Sequence, residues 1–230
     1  MKYFKVYGSK RSGTNYISAL LEKNFSNAKV FMNLGGWKHG PFTEYPNVRQ
    51  LYDSVDHPTR MAMINETGKY MDLFKNSEVK FLACCKNPYT WVLSFCRDNE
   101  WELDERNVFR SMLTWNQTYE NYRPHIKSGK MHLIRYEDVL QDMGSYLRNL
   151  ETKYSLERKE GLKQFVGVSN HLKPNADSEI GQTFDRKFTS RDFYLNQEVR
   201  DIYTDNQIAF INNCLSPEIM ELLGYSYITI

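Results

Sequence analysis

The stretch KVYGSKRSGTNYISALL, from Lys5 to Leu21, decides the fold. It continues an alternating segment over 2–7 that predicts a β-strand ended by Gly8, and from Gly13 onward apolar residues recur at helical spacing. A strand, a glycine loop and a helix in this order gather backbone N–H groups at the helix N-terminus, where the helix dipole also favours an anion. The loop carries two cations and two hydroxyls close together: Lys10, Arg11, Ser12 and Thr14. This composition predicts a phosphate-binding loop rather than an ordinary turn.

The rest of the chain alternates strands and helices in the same way. Strands are predicted over 28–33, 79–85 and 131–135, and the second is a near-continuous apolar run, typical of a strand buried on both faces. Helices are predicted over 61–75, 88–100, 104–127, 138–153 and 195–223, with a short one near 157–166. This order predicts a single α/β domain over 1–230. We expect a central parallel sheet of four to five strands, helices on both faces and a helical C-terminal tail.

Composition narrows the function classes. The chain has 230 residues and a net charge of +2, which gives no strong field for nucleic acid or for a membrane surface. Its four cysteines, two of them adjacent at Cys84 and Cys85, have no zinc spacing and predict reduced thiols. Without a signal-peptide pattern or a membrane-spanning apolar run, we expect a cytoplasmic protein with no nucleic-acid or membrane partner. The sequence does not indicate an oligomeric state.

The glycine spacing is that of a nucleoside-triphosphate loop, but Thr14 and Asn15 stand where such an enzyme carries Lys and then Ser or Thr. Those groups would bind the β- and γ-phosphates and magnesium, so ATP use is disfavoured and no metal is predicted. The segment KRSGTNY instead resembles the 5′-phosphosulfate loop of sulfotransferases, which share the P-loop fold. The resemblance implies 3′-phosphoadenosine 5′-phosphosulfate (PAPS) as co-substrate and adenosine 3′,5′-bisphosphate (PAP) as product. It implies binding by Lys10, Arg11, Ser12, Gly13, Thr14 and Asn15.

A second segment, FLACCKNPYTWVLSFCR over 81–97, resembles the 3′-phosphate segment of the same family. That segment has a basic residue at a strand end, then Asn-Pro, and a Ser eight positions after the basic residue. The matching phosphate-binding residues here are Lys86 and Ser94. Lys instead of the commoner Arg keeps a point charge but loses the bidentate fork.

Two further segments match the family more loosely. LIRYEDV over 133–139 resembles its RYEDL signature, and we expect a structural role in which Asp138 caps a helix and Arg135 holds the strand end. FDRKFTSRDFY over 184–194 resembles a late loop that closes over the 3′-phosphate and adenine. This resemblance implies that Arg186 and Lys187 bind the nucleotide.

The chemistry is expected at GGWKHG, residues 35–40, because this segment follows the second strand and should open beside the glycine loop. The family often places a His or a carboxylate there, which implies His39 as general base, with an imidazole that titrates near neutrality. Lys38 and Arg11 would neutralise the oxygens of the sulfuryl group. Glu44 and Glu66 are the alternative bases.

These patterns predict a PAPS-dependent sulfotransferase that moves a sulfuryl group, by in-line transfer, to a hydroxyl or amine. The acceptor would be a small molecule or a glycan. Two alternatives stay open. One is a P-loop kinase acting on a small molecule, and the other is a nucleotide-binding module that has lost catalysis.

Overall fold

A computed structural model of the chain describes residues 1–31, 37–43, 72–73, 75–76, 78–167, 194–195 and 198–230. Its centre is a four-stranded sheet in which every neighbouring pair of strands is parallel. The strands lie in the order β2-β1-β3-β4 and are β1 (Lys2–Gly8), β2 (Ala28–Phe31), β3 (Val79–Cys85) and β4 (Met131–Arg135). The predicted α/β class with a central parallel sheet is confirmed.

Helices cover both faces of the sheet, as predicted. One face is covered by α1 (Thr14–Asn24), α4 (Tyr136–Gln141) and α5 (Met143–Tyr154). The other is covered by α2 (Pro88–Asp98), α3 (Glu105–Lys127), α6 (Asp205–Cys214) and α7 (Pro217–Leu223), with a 3₁₀ turn over Glu198–Ile202 before α6. No helix in these described ranges has the length and apolarity that crossing a bilayer would require.

Strand β3 is buried almost throughout because both of its faces are covered. Its alternate side chains enter two separate cores, so Leu82 and Cys84 pack with α1, whereas Ala83 and Cys85 pack with α2 and α3. The two adjacent cysteines therefore point to opposite faces, and both are free thiols.

The helix predicted over 138–153 is wrong in one respect, because it is two helices that meet at Asp142. The carboxylate of Asp142 accepts a hydrogen bond from the Ser145 N–H at 2.9 Å and thereby begins α5. Asp138 is not the predicted cap. It lies in the first turn of α4, where it pairs with Arg135 at 3.7 Å between Nε and Oδ1.

The predictions near the C-terminus also need correction. The segment 157–166 contains no helix, and its main feature is a bridge between Phe25 and Arg158. The predicted helix over 195–223 is interrupted before α6 and again before α7, where Pro217 cannot continue a helix. Gly224 ends α7 in the left-handed conformation, as predicted. The helix predicted over 61–75 lies almost wholly outside the described residues.

Candidate functional site

The glycine loop lies between the carboxyl end of β1 and the start of α1. Gly8 is needed because a Cβ there would lie 2.4 Å from Ser12 Oγ and 2.5 Å from the Cys84 carbonyl oxygen. Arg11 at φ 65° and Gly13 at φ 96° turn the chain, and the Ser12 N–H donates to the Ser9 carbonyl at 3.1 Å. The loop therefore packs directly against the end of β3.

Two hydroxyl groups of this loop lack an acceptor among the residues that the structure describes. The hydroxyls of Ser9 and Ser12 are fully buried and have no hydrogen-bond partner within the described part of the chain. Helix α1 begins with Gly13 as its N-cap, so no side chain caps its first N–H groups. Buried unpaired hydroxyls are costly, and an anion at an uncapped helix N-terminus would satisfy both groups.

A short turn over Trp37–Gly40 lies beside this loop, at the sheet edge where the sequence predicted it. The Gly8 N–H donates to the Lys38 carbonyl at 3.0 Å, and His39 Nδ1 lies 2.7 Å from the Gly8 carbonyl oxygen. Lys38 Nζ donates to the side-chain oxygen of Asn15 in the first turn of α1. Candidate acid–base and cationic groups are thereby fixed next to the glycine loop.

The hydrogen bond to Gly8 sets the tautomer of His39. A carbonyl oxygen only accepts, so Nδ1 carries the proton and Nε2 is the basic nitrogen. Burial lowers the pKa of His39 to about 4, the bond to Gly8 opposes that fall, and the charges of Lys38, Lys10 and Lys5 add to it. The expectation of an imidazole titrating near neutrality is therefore wrong, because the sequence does not reveal how these groups cluster.

The cations of the loop differ in their surroundings. Burial lowers the pKa of Lys38 to about 8, so its ammonium stays mostly charged at neutral pH. Arg11 pairs with Asp98, at the end of α2, at 3.3 Å between Nη1 and Oδ1. Lys10 is exposed, and its Nζ lies 5.9 Å from the ring centroid of Trp37. Lys38 is thus the cation next to His39 in the chain, Lys10 and Lys5 also act on the imidazole, and Arg11 forms an ion pair with the end of α2.

The second predicted anion site lies at the end of β3, the neighbour of β1. Lys86 is buried, and its Nζ lies 4.4 Å from the ring centroid of Tyr136 and 4.6 Å from that of Tyr194. Ser94 is buried within α2, two turns after Pro88. Asn87 caps this helix, its side chain accepting from the Tyr89 N–H at 3.0 Å. The turn that carries Lys86 is therefore joined to the first turn of α2 by this cap.

Two residues that sequence reasoning missed, Tyr136 and Glu137, lie at this second site beside Tyr194, for which the resemblance implied a place near the adenine base. The segment YEDV follows β4, and the pairing of Arg135 with Cys85 brings it beside the end of β3. That strand order is the signal that could have found Tyr136 and Glu137, since parallel strands present their carboxyl ends at one edge.

Glu44, Glu66, Arg186 and Lys187 lie outside the described residues. Within the described ranges, no group of three or more His, Cys, Asp or Glu side chains has the arrangement of a metal site.

The low pKa of His39 predicts an acid-sensitive fold. His39 has a folded pKa of about 4 and an unfolded value near 6.5, so the unfolded chain binds more protons between these values. Stability should therefore be full above pH 6.5 and fall by about 2–3 kcal/mol as the pH drops to 4. Urea unfolding of the wild type and of His39→Gln, which keeps a donor for Gly8, measures this loss. Equal pH dependence in both proteins would contradict the assignment.

No protein-family model matches the sequence, and no curated protein matches it. One solved structure that is similar to this chain is the sulfotransferase domain from the Synechococcus PCC 7002 olefin synthase. The two chains are 13% identical, the similarity covers 92% of this chain and 93% of that chain, and the TM-score is 0.47. The activity of this chain is therefore to be judged from the residues of its own site.

Proposed function

We propose that this protein is a sulfotransferase that uses PAPS and sulfates a hydroxyl or amine of a small-molecule or glycan acceptor. The observation that carries the proposal is the pair of buried hydroxyls of Ser9 and Ser12, which have no hydrogen-bond partner among the described residues, at the uncapped start of α1. Beside them lie an ammonium on Lys38 and a neutral imidazole on His39. Anion donors, a cation and a base in one place are what sulfuryl transfer needs.

The glycine loop fits the phosphosulfate end of PAPS. Ser9 and Ser12 would donate to its oxygens together with the first N–H groups of α1, and Thr14 begins that helix. When bound, PAPS would supply the sulfuryl group that is transferred. The ammonium of Lys38 would neutralise the negative charge of the phosphosulfate. The bond of Lys38 to Asn15 keeps this ammonium at the start of α1.

His39 would orient the acceptor and take its proton. With Nδ1–H donated to Gly8, Nε2 is left to accept from a hydroxyl or an amine. Because the base is neutral at physiological pH, it does not have to lose a proton before it can act. The surrounding lysines lower its basicity, and the charge of a bound nucleotide would restore part of it.

The position of Lys86 favours PAPS over nucleotides that carry phosphate at only one position of the ribose. Its buried ammonium lies at the end of β3, next to the loop that ends β1, so the two anion sites occupy neighbouring strands. A 3′-phosphate at Lys86 and a 5′-phosphosulfate at the glycine loop would use both. For a kinase the same loop lacks the lysine after Gly13, where Thr14 and Asn15 stand instead.

Binding of PAP tests this proposal directly. We expect PAP to bind more tightly than AMP or ATP in calorimetry without magnesium, because only PAP reaches both anion sites. Lys86→Ala should weaken the binding of PAP by about 1.5–3 kcal/mol, the range of a charge-assisted hydrogen bond. The binding of AMP should be almost unaffected. Lys80→Ala is the matched control, since Lys80 is exposed near the opposite end of the same strand.

Three outcomes would contradict the proposal. Equal affinity for PAP and AMP would remove the 3′-phosphate site, and stronger binding of ATP with magnesium would favour a kinase. An acceptor screen with sulfur-labelled PAPS then measures transfer itself. Tight PAP binding without transfer to any acceptor would favour the non-catalytic module.

A further inference from the structure

We infer that Glu137 is a positioning residue for Lys86, because its carboxylate ties the turn that carries Lys86 to Tyr225 in the C-terminal segment. Its role at the nucleotide site rests on the proposed function, whereas the contacts themselves do not depend on any ligand. Glu137 lies in the first turn of α4 and is buried, although a carboxylate is costly to bury.

Both carboxylate oxygens of Glu137 are used inside the protein. Oε1 accepts from the Asn87 N–H at 2.9 Å, and Oε2 accepts from the Tyr225 hydroxyl at 2.8 Å. Asn87 directly follows Lys86, so the first bond fixes the peptide unit that joins them. The second bond anchors the carboxylate to a residue 88 positions away in the chain.

The rest of the turn is held by neutral groups. Trp115 Nε1 donates to the Lys86 carbonyl at 3.3 Å, and the Tyr203 hydroxyl donates to the Tyr89 carbonyl at 2.8 Å. The bond from the Asn87 N–H to Glu137 differs from these because it holds the peptide unit directly after Lys86. It therefore restrains the backbone next to Lys86, and through the backbone it restrains the position of the ammonium.

A role in attracting the ligand does not explain why a carboxylate is buried at this position. A negative charge beside an anion site repels the anion, and burial raises the pKa of Glu137. The bonds from Asn87 and Tyr225 and the charge of Lys86 oppose that rise. An apolar side chain would fill the same space without the burial cost, but it would leave the Asn87 N–H without an acceptor. Holding that N–H is the contribution specific to Glu137.

The test compares two substitutions in the preference for PAP over AMP, measured by calorimetry. Glu137→Ala removes the acceptor, and we expect the ratio of the AMP to the PAP dissociation constant to fall about tenfold. Glu137→Gln retains an acceptor for Asn87, so the ratio should stay within about threefold of the wild-type value. If Glu137 acted through its charge alone, the Gln variant would bind PAP more tightly than the wild type, which would overturn the inference.

Asn24→Ala is the matched control for a structural role. Asn24 is also buried and also bridges two segments, because its side chain bonds the Leu20 carbonyl and both backbone groups of Val166. Its loss should lower the melting temperature without changing the PAP preference. If Glu137→Ala behaves in the same way, Glu137 is only structural. Tyr225→Phe removes one hydroxyl and should lower the ratio of the AMP to the PAP dissociation constant about threefold. This variant replaces Glu137→Ala in the test if Glu137→Ala does not fold.

A ligand-free measurement separates this inference from the proposed function. Acetylation by acetic anhydride, read by peptide mass spectrometry, should label buried Lys86 slowly and exposed Lys10 rapidly. In Tyr225→Phe the labelling of Lys86 relative to Lys10 should rise about threefold, as the turn opens more often. A rise without any PAP preference in the wild type would uphold the positioning role and reject the sulfotransferase. Unchanged labelling would overturn the positioning role whatever the nucleotides do.

Discussion

Replacing His39 with alanine should lower the turnover number of sulfuryl transfer by about 10²–10⁴-fold, the usual contribution of a general base. The imidazole lies beside the glycine loop, with Nδ1 committed to the Gly8 carbonyl and Nε2 left as the basic nitrogen. Nothing in that arrangement binds the nucleotide directly. The affinity for PAP should therefore change far less than turnover, by about 0.5–1.5 kcal/mol, the net contribution of the one hydrogen bond to Gly8 that is lost.

His132→Ala is a matched control for this prediction. His132 is likewise a histidine whose pKa is lowered to about 4, by burial and by the charge of Lys153, but it lies near the start of β4 at the opposite sheet edge. The turnover number of His132→Ala should equal that of the wild type. If His39→Ala also remains active, with an unchanged pH profile, the base is another group, and Glu44 and Glu66 are then the candidates.

The pH dependence of the reaction adds a second check on His39. The acid limb of kcat/KM reports the free enzyme and should lie near pH 4, the value that burial and three lysines give His39. Bound PAPS brings negative charge to the same place, which favours the protonated imidazole, so the limb of kcat should lie at higher pH. A limb near pH 6.5 in the free enzyme would mean that His39 is not desolvated as described.

The sequence predicted the parts of the fold that have local signals. The apolar run 79–85 became β3 with the same bounds, and the switch from alternating to helical spacing at Gly13 marked the start of α1. Local pattern also placed GGWKHG after the second strand, and its described part, Trp37–Gly40, lies at the glycine loop. The first two signals lie within a few residues of one another, whereas the place of Trp37–Gly40 follows from parallel strands that open at one edge of the sheet.

The features that the sequence did not predict depend on contacts between distant segments. The pairing of Arg11 with Asp98 and the bond from Tyr225 to Glu137 join residues far apart in the chain. The low pKa of His39 results from burial together with lysines on three different segments, which no spacing reveals. Sequence reasoning therefore found the residue types of the site, whereas tertiary packing decides their charge and orientation.

Gly13→Ala should destabilise the fold by about 2–5 kcal/mol and abolish high-affinity PAP binding. Two costs add at this position. Gly13 has φ 96°, where an L-residue loses about 1–2 kcal/mol, and its new Cβ would lie 2.4 Å from Cδ2 of Tyr136, an overlap that costs about 1–3 kcal/mol. The ring would have to move, and it lies 4.4 Å from Lys86 Nζ, so the strain would reach both anion sites.

Gly129→Ala separates these two costs. Gly129 has φ 73°, but a Cβ there meets nothing within 4 Å, so only the backbone strain applies and about 1–2 kcal/mol should be lost. It lies in the turn after α3, at the other end of the sheet, and PAP affinity should not change. Urea unfolding of both variants measures the difference, which is the cost of displacing the Tyr136 ring. Equal losses in the two variants would mean that this ring does not pack on the glycine loop, and the physical link between the two anion sites would then be absent.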